Sequence, residues 1–160
     1  PFSNLAVLHM ISGDWEQALD YIVESLFWNK SEYASLVLKT NRMLCYYFTG
    51  NSLWEKLYRE LNDYIKSKYC VDDKIYKKIC INMAVVASKD NSRISEAKDL
   101  LDQCYPHLAN EWSHGKYRFF KLYEKVTGIK NVLTPPADSN QFQYYCGIEF
   151  EPWLLNFSHD

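Results

Sequence analysis

Apolar residues recur at helical intervals along the first 128 residues, in seven stretches separated by polar or glycine breaks. Leu5, Leu8 and Ile11 form a short stripe that Gly13 interrupts. Trp15, Ala18, Leu19, Ile22 and Leu26 follow at i, i+3, i+4, i+7 and i+11, one face of a helix. Asp14 stands in front as an N-cap, and Gln17, three residues on, completes a capping-box pattern. Residues 3–12 and 14–28 are therefore predicted as two antiparallel helices joined by a tight turn.

The pattern then returns. Residues 32–48 carry Leu36, Leu38, Met43, Leu44 and Tyr47 and end at Gly50-Asn51. Trp54, Leu57, Tyr58, Leu61, Tyr64 and Ile65 give the cleanest amphipathic stripe. Residues 73–88 repeat it with Ile75, Ile79, Met83 and Val86, before the polar break 89–92. Ile94, Ala97, Leu101 and Cys104 make a sixth helix that Pro106 stops. Trp112, Phe119, Leu122, Tyr123 and Val126 make a seventh over 110–127, closed by Gly128.

The starts of the second, fourth and sixth helices carry Trp15, Trp54 and Ile94, separated by 39 and 40 residues. Ala18, Leu57 and Ala97 follow each landmark by three residues. A near-constant period between equivalent helical landmarks predicts a helical solenoid, because one hairpin cannot bury its apolar face alone.

On these residues the chain resembles the tetratricopeptide repeat family. Leu5 and Ala6 stand at the first-helix Leu and small residue, Gly13-Asp14 at the inter-helix turn, and Trp15 at its aromatic. Ala18 and Ser25 stand at the two small positions of the second helix, while His9 replaces the usual first-helix Tyr. The likeness is strongest over residues 4–28; in later units only Asn41, Tyr46, Gly50, Ala84 and Ala97 hold. The period of 39–40 residues exceeds the family's roughly 34 and leaves HEAT-like and other α-solenoids open. The resemblance implies an all-α fold: antiparallel helix-hairpin repeats in a right-handed superhelix, about three and a half helix pairs over residues 1–128. Residues 129–141 contain two of the five prolines and are predicted as a linker. The aromatic-rich residues 142–160 are predicted as a C-terminal extension, either a cap on the last helices or a docking surface.

Composition sharpens this picture mainly by exclusion. The 160 residues are 48% hydrophobic and 24% charged, enough for one domain with a sizeable core. Five glycines and five prolines leave little room for a turn-rich β-sandwich. With a net charge of −2 and no like-charge run beyond two residues, there is no basic stripe for nucleic acid. No apolar run approaches the ~18 residues of a membrane span. The chain opens at Pro1 without a leader, which reads as a piece of a longer protein. Five widely spaced cysteines in no metal-binding pattern read as buried free thiols in a reducing cytoplasm.

Chemistry finds no purchase in the motifs. There is no Gly-rich phosphate loop, no Gly-x-Ser-x-Gly and no His-Glu-x-x-His. Of four histidines only His107 and His114 lie close together, too few for a metal site, so no cofactor and no enzymatic activity are expected. Glu24, Glu55, Glu60 and Glu96 fall on polar helix faces, where solvated ion pairs are the expectation.

The expected function is then a protein-protein interaction module of a larger intracellular protein, holding a peptide or protein segment, or another domain of the same parent chain. By fold-level analogy the parent would be a signalling ATPase or transcriptional regulator with a repeat arm. The resemblance places the ligand in a concave groove lined by the first helix of each pair. Mapped onto this sequence, the groove residues are Val7, Met10 and Ile11, then Leu44 and Tyr47, Val85 and Lys89, and finally Arg118, Leu122 and Lys125. Such a groove is apolar at its start and basic near its end, which suits a segment with an acidic flank. Val7 and Leu44 stand where a terminal-carboxylate clamp needs Asn or a basic residue, so no such clamp is expected. The alternative is a structural solenoid or oligomerisation segment with no ligand of its own.

Overall fold

A computed structural model describes residues 2–67, 73–108 and 113–130, and these are all-helical, with no strand among them. Seven α-helices follow in order: α1 (Phe2–Ser12), α2 (Trp15–Trp28), α3 (Glu32–Phe48), α4 (Leu53–Lys66), α5 (Asp73–Ala87), α6 (Ile94–Cys104) and α7 (Ser113–Thr127). Short 3-10 turns at Asn91–Arg93 and Tyr105–Leu108 flank α6. The helix ends lie within a few residues of those that periodicity and break residues predict. Most of the predicted linker and the whole C-terminal extension lie outside the described residues, as do Cys70, Trp112 and Cys146.

The turns explain why the helices pair. At the end of α1, Gly13 adopts φ +79°, where its amide donates to Met10 O (3.1 Å) and the Asp14 amide to His9 O (2.9 Å). These two bonds satisfy carbonyls that the helix end would leave bare. The same pair recurs at Gly50, from Gly50 to Tyr47 O (3.1 Å) and from Asn51 to Tyr46 O (2.8 Å). Asp14 Oδ1 then accepts from the Gln17 amide (3.3 Å) and caps α2. The expected capping box is only half formed, because the Asp14 amide is already spent on His9 O.

Each helix buries one stripe against its neighbours. α1 packs on α2, α2 on α3, and α3 on both α4 and α5; α5 meets α4 and α6, and α6 meets α7. In α4 the buried side chains are Leu57, Tyr58, Leu61 and Ile65, while Lys56 and Arg59 face out. α5 departs from this one-sided pattern: every residue from 77 to 88 is buried, Lys77 and Lys78 included. A helix enclosed all round is a core element. Within it Asn82 is only 1% exposed and neither polar atom of its side chain has a hydrogen-bond partner. Thr40 Oγ1 on the adjoining α3 is orphaned in the same way.

Candidate functional site

The most distinctive surface runs along the turn edge and joins the three hairpins. Trp15, first residue of α2, stacks on Phe48, the last of α3, with ring centroids 4.4 Å apart and planes at 17°. Phe48 meets Tyr47 edge-on at 5.3 Å, and Tyr47 meets Trp54 at 5.3 Å in the same manner. Trp54 continues to Tyr58, one turn along α4, at 6.0 Å. The Arg93 guanidinium then lies over Tyr58 at 4.4 Å and over Trp54 at 5.9 Å. Edge-to-face and offset aromatic pairs each contribute about 0.5–1.5 kcal/mol beyond their buried area.

The ladder ends in a charged clamp. Arg93 Nε donates to Glu96 Oε2 (2.9 Å), and the Tyr58 hydroxyl donates to Glu96 Oε1 (2.7 Å). Burial pushes the Tyr58 hydroxyl upward, and the Glu96 carboxylate beside it adds to the rise. For Glu96 itself burial acts upward, but the hydrogen bonds from Arg93 and Tyr58 prevail and hold its carboxyl below the usual range. Glu96 is therefore a tertiary joint between α4 and α6, not the freely solvated group that its place on a polar face suggests. Helical periodicity cannot show this, because Tyr58 and Glu96 are 38 residues apart.

The ten groove residues do not form one open surface. Val7, Met10, Leu44, Val85 and Leu122 are buried in the core, so no partner touches them while the helices stay packed. Each lies on a stripe that a neighbouring helix covers, and Val85 belongs to the enclosed α5. Ile11 and Tyr47 are half-buried, and Lys89 and Lys125 are exposed. Arg118 falls on α7 with its side chain outside the described set. The structure brings Lys89 and Lys125 together, within hydrogen-bonding reach of one another, and sets Tyr47 into the aromatic ladder.

Other candidate chemistry resolves into packing. Cys45, Cys80 and Cys104 are buried free thiols, and burial pushes Cys45 up to about 12, far from a reactive thiolate. His107 sits against the Tyr76 ring at 5.0 Å, and His9 lies 3.1 Å from Asp14 Oδ2 with its ring stacked on Tyr21. Among the described residues no three His, Cys, Asp or Glu side chains converge as metal ligands. No described helix is long and apolar enough to cross a membrane.

Apolar side chains also stand exposed at the first hairpin. Phe27 and Trp28 are 66% and 68% exposed and meet edge-on at 5.1 Å, with Val23, Leu5 and Leu8 also open. Comparisons with protein families, with curated proteins and with solved structures each return no match.

Proposed function

We propose that the chain is a helical-repeat interaction module, similar in kind to tetratricopeptide repeats, which holds a peptide or protein segment within a larger protein. The observation that carries the reading is the aromatic ladder. It links equivalent turn positions of successive hairpins, as a stacked array requires, and it leaves aromatic area partly open along one edge. Aromatic side chains with few rotatable bonds are favoured anchors for a partner. The contact surface is narrower than the full stripe of first-helix positions. It comprises Ile11, Tyr47 and Phe48 on the apolar side, with Lys89 and Lys125 as the basic end.

The test is partner capture by the intact chain and by variants on this edge. Ile11→Ser and Phe48→Ser should retain a cooperative thermal transition and lose capture of whatever the wild type retains. If both variants hold the same partner as tightly as the wild type, the reading fails. The second reading, a structural segment whose partner is more of the same array, is favoured by the open apolar side of the first hairpin at Phe27 and Trp28. It expects Trp28→Ser, and not Phe48→Ser, to change the mass of the particle in solution.

A further inference from the structure

Lys89 directly follows α5, and Lys125 lies in the last turn of α7, so two helix ends deliver ammonium groups to one point on the surface. The two amines lie within hydrogen-bonding reach of each other, yet two protonated ammoniums have only donors to offer. No described carboxylate pairs with either. The neighbouring lysines are served differently: Lys98 is paired with Asp102 at 2.6 Å, and Lys121 faces Glu124 at 3.8 Å. Like charges a few ångströms apart repel, so the arrangement is completed by an anion that accepts from both. Partial burial together with the Lys89 charge already holds the Lys125 amine below its ordinary range, in keeping with a cation that lacks its counter-charge.

We propose that Lys89 and Lys125 form a two-point anion site that takes a side-chain carboxylate of an acidic peptide segment. The inference rests on the interaction-module reading and adds the chemistry of the partner. A carboxylate fits better than a phosphate for two reasons. The site supplies two point-charge donors and no guanidinium fork. It also lies at helix C-termini, whose carbonyl ends disfavour a dianion. One carboxylate offers one oxygen to each amine and matches the donors present.

The probe is hexaglutamate, titrated into the whole chain with the lysine side-chain NMR signals as readout and inorganic phosphate as competitor. Saturable binding should shift the Lys89 and Lys125 signals together and move the Lys125 amine back upward. Lys89→Gln and Lys125→Gln should each weaken binding about fivefold, the upper range for a solvent-facing ion pair. Lys121→Gln should leave it unchanged. Equal loss in Lys121→Gln, or no saturation, overturns the site in favour of a diffuse field. Displacement by phosphate below the peptide's own concentration overturns the carboxylate assignment. Hexaglutamate binding without partner capture sinks the interaction-module reading and leaves the lysine site standing. Capture that survives both glutamine variants sinks the lysine site alone.

Discussion

At Gly13 and Gly50 the chain leaves a helix through a left-handed glycine, whereas after Ala87 it turns without one. Between α5 and α6 the Ser88 hydroxyl donates to Val85 O (2.7 Å), the Lys89 amide to Val86 O (3.1 Å) and the Asp90 amide to Ala87 O (3.2 Å). What the three turns share is an Asp or Asn in the same office. Asp14, Asn51 and Asp90 each donate a backbone N–H to the helix behind and accept with a side-chain oxygen from the segment ahead. The left-handed glycine is one way to deliver that residue, and a 3-10 turn is another. The ladder crosses both kinds of junction, from Trp15 and Phe48 at the first to Arg93 and Glu96 at the third. The hairpins are thus registered by side chains at the turn edge, with the turn backbone free to vary.

Removing the centre of the ladder should give the largest effect. Trp54 touches Tyr47, Tyr58 and Arg93, and Trp54→Ala should cost about 2–3 kcal/mol, less than a fully buried tryptophan because the ring is half-open. Thermal unfolding of Trp54→Ala beside Trp28→Ala decides the matter, since Trp28 is largely exposed and outside the ladder. Equal losses in the two would mean that the ladder contributes nothing beyond area.

The turn comparison sharpens at the glycines. A Cβ at Gly13 or Gly50 would meet nothing within 4 Å, so any penalty there is backbone strain alone. Gly13→Ala and Gly50→Ala should each cost about 1–2 kcal/mol, the difference between glycine and an L-residue at positive φ. Denaturant unfolding checks this, with Ser88→Ala as the counterpart that loses one exposed-end hydrogen bond and less stability. A glycine variant as stable as the wild type would show that the left-handed turn is dispensable at the first two junctions as well.

Much of this architecture was legible because helices announce themselves by period and by their ends. Gly13, Gly50 and Gly128 all take positive φ at helix ends, and the landmarks Trp15 and Trp54 sit on one physical ladder. The third turn was harder to read, because without glycine its Asp90 looks like any surface carboxylate until the hydrogen bonds are seen. The candidate site was less legible than the fold. A stripe at Val7, Leu44 or Leu122 is the same pattern whether it faces a partner or a neighbouring helix, and here neighbours bury all three. The enclosure of α5 was also hidden, since Lys77, Lys78 and Asn82 are polar types buried by tertiary packing. The meeting of Lys89 with Lys125 belongs to the same class, being 36 residues apart in sequence and adjacent only in the fold.

A smaller effect should separate the cap residues. Asp14→Ala removes a side chain that accepts from the Gln17 amide and should cost about 0.5–1 kcal/mol, the lower range for an exposed cap. Ser52 immediately precedes α4 but makes no capping bond, because Asn51 Oδ1 already accepts from the Leu53 amide (3.0 Å). Ser52→Ala should therefore be neutral and Asn51→Ala costly. The reverse order in thermal melts would break the equivalence of Asp14 and Asn51 on which the turn comparison depends.

The smallest effect concerns acid, and it isolates the third junction from the first two. Arg93 and Tyr58 hold the Glu96 carboxyl below its ordinary value against the upward pull of burial. A carboxyl depressed on folding stabilises the native state above its unfolded pKa, and that stability is lost as pH falls through the folded value. The α4–α6 joint should therefore weaken as pH drops below the mid-fours, where the carboxylate begins to take up a proton. Because Glu96 is partly solvent-facing, the change is screened and modest. Glu96→Gln should flatten this part of the pH–stability curve and lower stability near neutrality, with amide exchange on α6 rising more than on α2. Wild type and Glu96→Gln curves that run parallel from neutral pH into acid would show that the clamp carries no charge-dependent stability. The ladder would then end at Tyr58, and the third hairpin would be held by apolar packing alone.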